Sequence, residues 1–78
     1  MPKLPVISGK DVIKALKKIG FETDHQTGSH IILRQREVPH RRLTVPNHGE
    51  IAKGTLLAII KEAGLTREEF LKLLWNIH

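Results

Sequence analysis

The apolar residues of the first quarter of the chain recur at helical spacing. Val12, Ile13, Leu16 and Ile19 fall on one face, and Lys10, Lys14, Lys17 and Lys18 fall roughly opposite. Ser8 stands where a side-chain N-cap is wanted, and Asp11 brings a carboxylate into the first turn, where the helix dipole favours it. Gly20 suits the C′ position that ends such a helix. From Phe21 the period changes. Phe21 to Gln26 reads as a short polar strand, Thr27-Gly28-Ser29 as a turn, and His30 to Arg34 as a second strand. Alternation sends Ile31 and Leu33 to one face and His30, Ile32 and Arg34 to the other.

The stretch Gln35 to Arg41, containing Pro39, reads as a loop, and Arg42 to Val45 as a third strand with Leu43 and Val45 facing inward. Pro46 has no N–H to donate and is expected to stop the ladder. Asn47 to Lys53 is a connection, after which Gly54-Thr55 opens a helix with Leu56, Ile59, Ile60 and Ala63 on one face and Gly64 as its stop. Thr66 and Glu69 have capping-box spacing for a last helix, which carries Phe70, Leu71, Leu73, Leu74, Trp75 and Ile77. The order α-β-β-β-α plus a C-terminal helix packs most economically as a three-stranded antiparallel meander with helices on one face. That is an α+β fold of the kind seen in double-stranded-RNA-binding domains.

A chain of 78 residues is expected to form one domain over its whole length, with a core from about residue 4 to 70 and the last helix near 66 to 77. A single core of this size leaves no room for a deep cofactor cleft, since only about 60% of the unfolded surface is buried. No apolar run is long enough to span a bilayer, and the start Met1-Pro2-Lys3-Leu4-Pro5 has no signal-peptide core, so a cytoplasmic protein is expected. With no cysteine, neither a disulfide framework nor a thiolate metal site is available. The five histidines include no i, i+4 helical pair and no tight carboxylate cluster, so no metal is expected. Thirteen Lys and Arg against eight Asp and Glu give a net charge of +5. That balance favours a polyanionic partner, because neutralising phosphates releases their counterions. The basic residues are spread along the chain instead of being gathered on one amphipathic helix, which argues against a membrane surface.

Several short motifs coincide in order. Leu4-Pro5 precedes Ser8-Gly9-Lys10, Leu16-Lys17-Lys18-Ile19-Gly20-Phe21 closes the first helix, and Gly28-Ser29-His30 follows. Then come Val45-Pro46-Asn47-His48, Lys53-Gly54-Thr55-Leu56 and Ile60-Lys61-Glu62-Ala63-Gly64-Leu65. Each motif alone is weak, but the ordered series resembles the HicA/YcfA family from about Leu4 to Phe70. The resemblance implies a double-stranded-RNA-binding-like fold and a ribosome-independent ribonuclease that cuts messenger RNA without a cofactor. It implies a HicB-type antitoxin that covers the active face and often joins in repressing the shared operon. The family's catalytic histidine maps onto His30.

Metal-free RNA cleavage needs a base for the 2′-hydroxyl proton and an acid for the leaving 5′-oxygen, and a histidine serves either role. Gly28 and Ser29 beside His30 allow a ligand backbone to come close. The plain alternative is a surface histidine at a strand start. His48, just before a helix, is a candidate second acid or base or a phosphate ligand; otherwise it simply bonds the loop. His25 is expected to face His30 across the turn, as another possible helper. Lys10, Lys14, Lys17 and Lys53 occupy positions where a double-stranded-RNA-binding-like fold meets phosphate, and Arg34, Arg36, Arg41 and Arg42 are expected on or beside the face that shows His30. For any one of these cations the alternative is a solvated surface. Phe21 reads as core and Phe70 and Trp75 sit on the last helix, so an aromatic platform for stacked bases is disfavoured. The apolar arc of that helix either completes the core or leaves Leu74, Trp75 or Ile77 for a partner.

Three functions fit this sequence: a toxin ribonuclease acting through His30, a non-catalytic RNA-binding module, and a structural or DNA-associated protein that works only with its partner. Gly28-Ser29-His30 and the shortage of aromatics favour the first.

Overall fold

A computed structural model describes residues 4–75. Its element order is α1 (Gly9–Lys17), β1 (Phe21–Thr27), β2 (His30–Gln35), β3 (Arg42–Pro46), α2 (Lys53–Glu62) and α3 (Arg67–Trp75). The strands form one antiparallel sheet in the order β1-β2-β3. α1 packs against β1, β3 and α3, and α2 against β3 and α3. The α+β arrangement expected from the periodicity is the one observed.

Local chemistry accounts for the element ends. The Ser8 hydroxyl accepts the Asp11 N–H at 3.2 Å and the Asp11 carboxylate accepts the Ser8 N–H at 3.4 Å, a reciprocal capping box. Gly20 follows α1 with φ +96°, a conformation that costs glycine little. Thr66 and Glu69 form the second capping box, with bonds of 2.8 and 3.1 Å.

The core lies between the sheet and the helical layer. Val12 and Leu16 of α1, Phe21, Leu33, Val45, Leu56 and Phe70 are fully buried within it. Each large side chain there contributes about 1.5–3 kcal/mol of burial free energy. The last helix completes this core with Phe70, Leu71 and Leu74 and leaves Trp75 68% exposed. Leu74 is therefore not available to a partner, and Ile77 lies outside the described residues.

The strands run slightly further than periodicity suggests. Thr27 belongs to β1 and pairs with His30, so the turn is Gly28-Ser29 alone, with Gly28 at φ +57° in the first turn position, where the favoured two-residue hairpins need a positive φ. Pro46 does not stop the ladder. It is the last residue of β3 and lies opposite His30, at an edge-strand terminus where its missing N–H does no harm. The β2–β3 alignment even reaches past it, since the Asn47 N–H donates to the Ser29 carbonyl at 2.6 Å. α2 starts at Lys53, ahead of Gly54-Thr55. The connection before it is anchored by Ile51, which is buried and donates its N–H to the Ile7 carbonyl at 2.9 Å.

Candidate functional site

The helices cover one face of the sheet and leave the other open. Residues directly opposite one another on paired strands show their side chains on the same face. The register therefore defines three rows across the open face: Thr27, His30 and Pro46; His25, Ile32 and Thr44; Glu22, Arg34 and Arg42. His30, Arg34, Arg42 and Thr44 are exposed, and Ile32 is half-buried.

His30 stands at the hairpin end of this face. Segments far apart in sequence meet there. Gly9, the first residue of α1, donates its N–H to the His48 carbonyl at 2.9 Å, and its Cα lies so close to the Pro46 carbonyl that a Cβ would collide with it. Asn47, next in the chain, is bonded through its N–H to the Ser29 carbonyl. Ser8-Gly9-Lys10, Gly28-Ser29-His30 and Val45-Pro46-Asn47-His48 thus converge on one end of the molecule. His48 contributes its backbone carbonyl to this junction, and the residue is exposed. Thr27, which sequence reasoning assigned to the turn, is the direct β1 neighbour of His30; the length of the hairpin was the signal that locates it.

His25 does not face His30. A two-residue turn sets His25 opposite Ile32, one row along. Its Nδ1 is instead 2.8 Å from the Asp24 carboxylate. Asp24 is the extra residue where the β1–β2 register shifts. The hydrogen bond from His25, and beyond it the charges of Arg42 and Arg34, hold the Asp24 carboxyl below its usual range. His40 is likewise tied back, its Nδ1 3.2 Å from the Gln35 carbonyl.

The four arginines expected around this face divide into pairs with different surroundings. The Arg36 Nε lies 3.4 Å from Glu22 Oε1. Arg41 leaves the sheet altogether: its Nη1 donates to the Glu62 carbonyl at 3.4 Å, and its guanidinium lies over Gly64 at the end of α2. Arg34 and Arg42 stay on the open face, directly opposite each other.

The lysines occupy another surface. Lys10, Lys14 and Lys17 form an exposed stripe along α1, turned away from the buried residues Val12, Ala15 and Leu16 and so away from the sheet. Lys10 lies beside Gly9 at the junction, and Lys14 and Lys17 recede from it along the helix. Lys53 opens α2, whose N-cap residue Ala52 supplies no side-chain bond and whose first turn holds no acid. Among the described residues, no group of three or more His, Cys, Asp or Glu side chains is placed to hold a metal ion. No described helix is long and apolar enough to cross a membrane.

A family model described as HicA toxin of bacterial toxin-antitoxin matches residues 9–65, most of the chain. The chain belongs to the HicA toxin family. The HicA match runs from the Gly9 contact to just past α2, and so contains His30, Arg34, Arg42, His48 and Lys53. α3, with Trp75, lies beyond it. Membership makes this a toxin-type component of a bacterial toxin–antitoxin pair. No curated protein matches the chain in sequence.

Proposed function

We propose that this HicA-family protein, acting as one domain, is a ribosome-independent endoribonuclease that cleaves messenger RNA by acid–base chemistry at His30. The observation that carries this reading is the position of His30, exposed on an open sheet face at the point where three motif segments of the family converge. A ring in that position meets a substrate lying on the face without any movement of the core. It either takes the 2′-hydroxyl proton or protonates the leaving 5′-oxygen. His48 is the second titratable group at the same end, and Gly28 and Ser29 leave room for an RNA backbone. Arg34 and Arg42 supply positive charge along the same face, and Lys10 and Lys53 supply it from the helix starts. Lys14 and Lys17 extend that charge along α1 for RNA that passes the edge of the sheet. The partner is an antitoxin of the HicB type that covers the open face, and the pair works in the cytoplasm.

Induced expression of the chain and of His30→Ala, with growth and messenger RNA integrity followed together, tests the proposal. Wild type arrests growth and degrades RNA, and the variant loses about 10²–10⁴-fold of the cleavage rate, the usual contribution of a general acid or base. Equal harmlessness with intact RNA overturns the nuclease reading and leaves an RNA-binding module. Equal toxicity removes His30 from the chemistry. EDTA leaves cleavage by the purified protein unchanged; a loss that Zn²⁺ or Mg²⁺ restores overturns the metal-free mechanism.

A further inference from the structure

Arg34 on β2 and Arg42 on β3 are cross-strand partners on the open face. Two like charges held directly opposite are mutually repulsive, and such a pair lowers the stability of a sheet. The surroundings do little to relieve it. Glu22 lies on the other side of Arg34 in the same row, but its carboxylate pairs with Arg36. Asp24 lies within the field of both arginines, yet its hydrogen bond goes to His25. Among the described residues neither Arg34 nor Arg42 makes an ion pair within 4.0 Å. Two adjacent guanidinium groups, exposed and without a close counter-ion, form a fork-shaped donor array suited to a phosphate.

The position of the pair sets its relation to His30. Arg34 is four residues along β2 from His30 and on the same face, a separation of about 13 Å at the rise of a strand. That span exceeds one nucleotide and matches a few nucleotides of an extended strand. Between them lies the row of His25, Ile32 and Thr44, whose one ring, the His25 imidazole, is held to the Asp24 carboxylate. The acidic residues of the face, Glu22 and Asp24, are confined to β1. A polyanion is therefore steered along β2 and β3.

We propose that Arg34 and Arg42 form a phosphate subsite that grips the backbone of a single RNA strand a few nucleotides from the bond at His30. The proposal rests on the nuclease reading for the choice of RNA, but its test uses binding and is independent of cleavage. The pair contacts phosphate and not base edges, so it adds affinity without sequence preference.

The experiment uses fluorescence anisotropy with a labelled single-stranded RNA of about ten nucleotides, a length within the range such surfaces cover, and with a labelled dinucleotide carrying one phosphate. All proteins carry His30→Ala so that RNA stays intact. The Arg34→Gln/Arg42→Gln variant loses about ten- to hundredfold in affinity for the longer RNA, as charge-assisted bonds to a phosphate require. Its salt dependence flattens by about one unit of slope. The control Lys61→Gln/Lys72→Gln removes the same charge from the helical side and loses far less. Binding of the dinucleotide is the same with and without the arginines. Thermal melting shows the arginine variant at least as stable as its parent, because the repulsion is gone; a merely structural pair gives a lower Tm instead. The proposal is overturned if the two double variants lose affinity equally, or if the arginine variant binds the longer RNA as well as its parent does. It is also overturned if that variant melts early. If the His30→Ala proteins bind RNA in this pattern but the protein with His30 intact never cleaves it, the subsite stands and the nuclease reading falls.

Discussion

The Asn47 N–H donates to the Ser29 carbonyl at 2.6 Å, one residue beyond the pairing of His30 with Pro46. This bond locks the hairpin tip to the chain leaving β3, so the backbone on both sides of His30 is fixed although its ring is exposed. A side chain that meets a substrate from a fixed backbone loses little entropy on doing so. The junction is completed by Gly9, which touches the same segment from the helical side.

Gly9→Ala tests that junction. The added Cβ meets the Pro46 carbonyl, a backbone atom that cannot rotate away, and displacing it also strains the Gly9 to His48 bond. Overpacking of this kind costs about 1–3 kcal/mol. Gly49→Ala is the control, since a Cβ there meets nothing within 4 Å. Thermal melting of the two variants separates them, and equal Tm values mean that the contact is not tight.

Gly54→Ala has the opposite sign. Gly54 is the second residue of α2, its Cβ would have open space, and its backbone does not need a positive φ. Alanine there stabilises the helix by up to about 1 kcal/mol. A variant that melts higher yet binds or cleaves RNA less well shows that glycine is kept for close approach of a phosphate to the start of α2. A variant that melts higher with function unchanged removes α2 from the RNA surface.

The elements themselves were legible because their signals are local. Ser8 with Asp11, Thr66 with Glu69, and the alternation of Ile31 and Leu33 each act within a few residues. What sequence alone misplaced depends on where the chain closes. The partner of His25 follows from a turn of two residues, whereas facing His30 would need a turn of four, because each residue of hairpin length moves every opposing position. The fate of Arg36 and Arg41 depends on how the loop between β2 and β3 folds back, which no periodicity encodes. Ile51 is the one large apolar residue between Pro46 and Leu56, and it enters the core where its segment docks against Ile7. His30 was placed on its face by alternation, but its neighbours Thr27 and Pro46 emerged only with the register.

Acid weakens the start of α3. The Thr66 backbone N–H, and then its hydroxyl, hold the Glu69 carboxyl below the usual glutamate range. A carboxylate whose folded pKa is depressed stabilises the fold above its unfolded pKa, and the contribution fades as pH falls through the folded value. The cap is therefore intact at neutral pH and is lost as the pH falls below the ordinary glutamate range. An NMR titration shows the Glu69 carboxyl turning over below the ordinary glutamate range, and Glu69→Gln removes that part of the acid sensitivity. A normal titration midpoint contradicts the bond.

Arg41→Gln separates arginines that hold the fold from those that face the substrate. Arg41 reaches from the loop to the Glu62 carbonyl at 3.4 Å, where it satisfies a carbonyl at the C-terminal end of α2 and adds positive charge where the dipole favours it. Its own backbone N–H is bonded to the Gln35 side chain at 3.4 Å, so the loop is closed from both ends. Loss of the guanidinium costs about 1 kcal/mol or less, which in a chain of this size lowers Tm by up to about 4–8 °C. RNA affinity falls only by what one distant charge contributes. This is the reverse of the pattern expected for Arg34 and Arg42, whose replacement spares stability and loses RNA. If Arg41→Gln instead melts normally and binds RNA as poorly as the double variant, the loop belongs to the RNA surface and the division of the arginines drawn from their contacts is wrong.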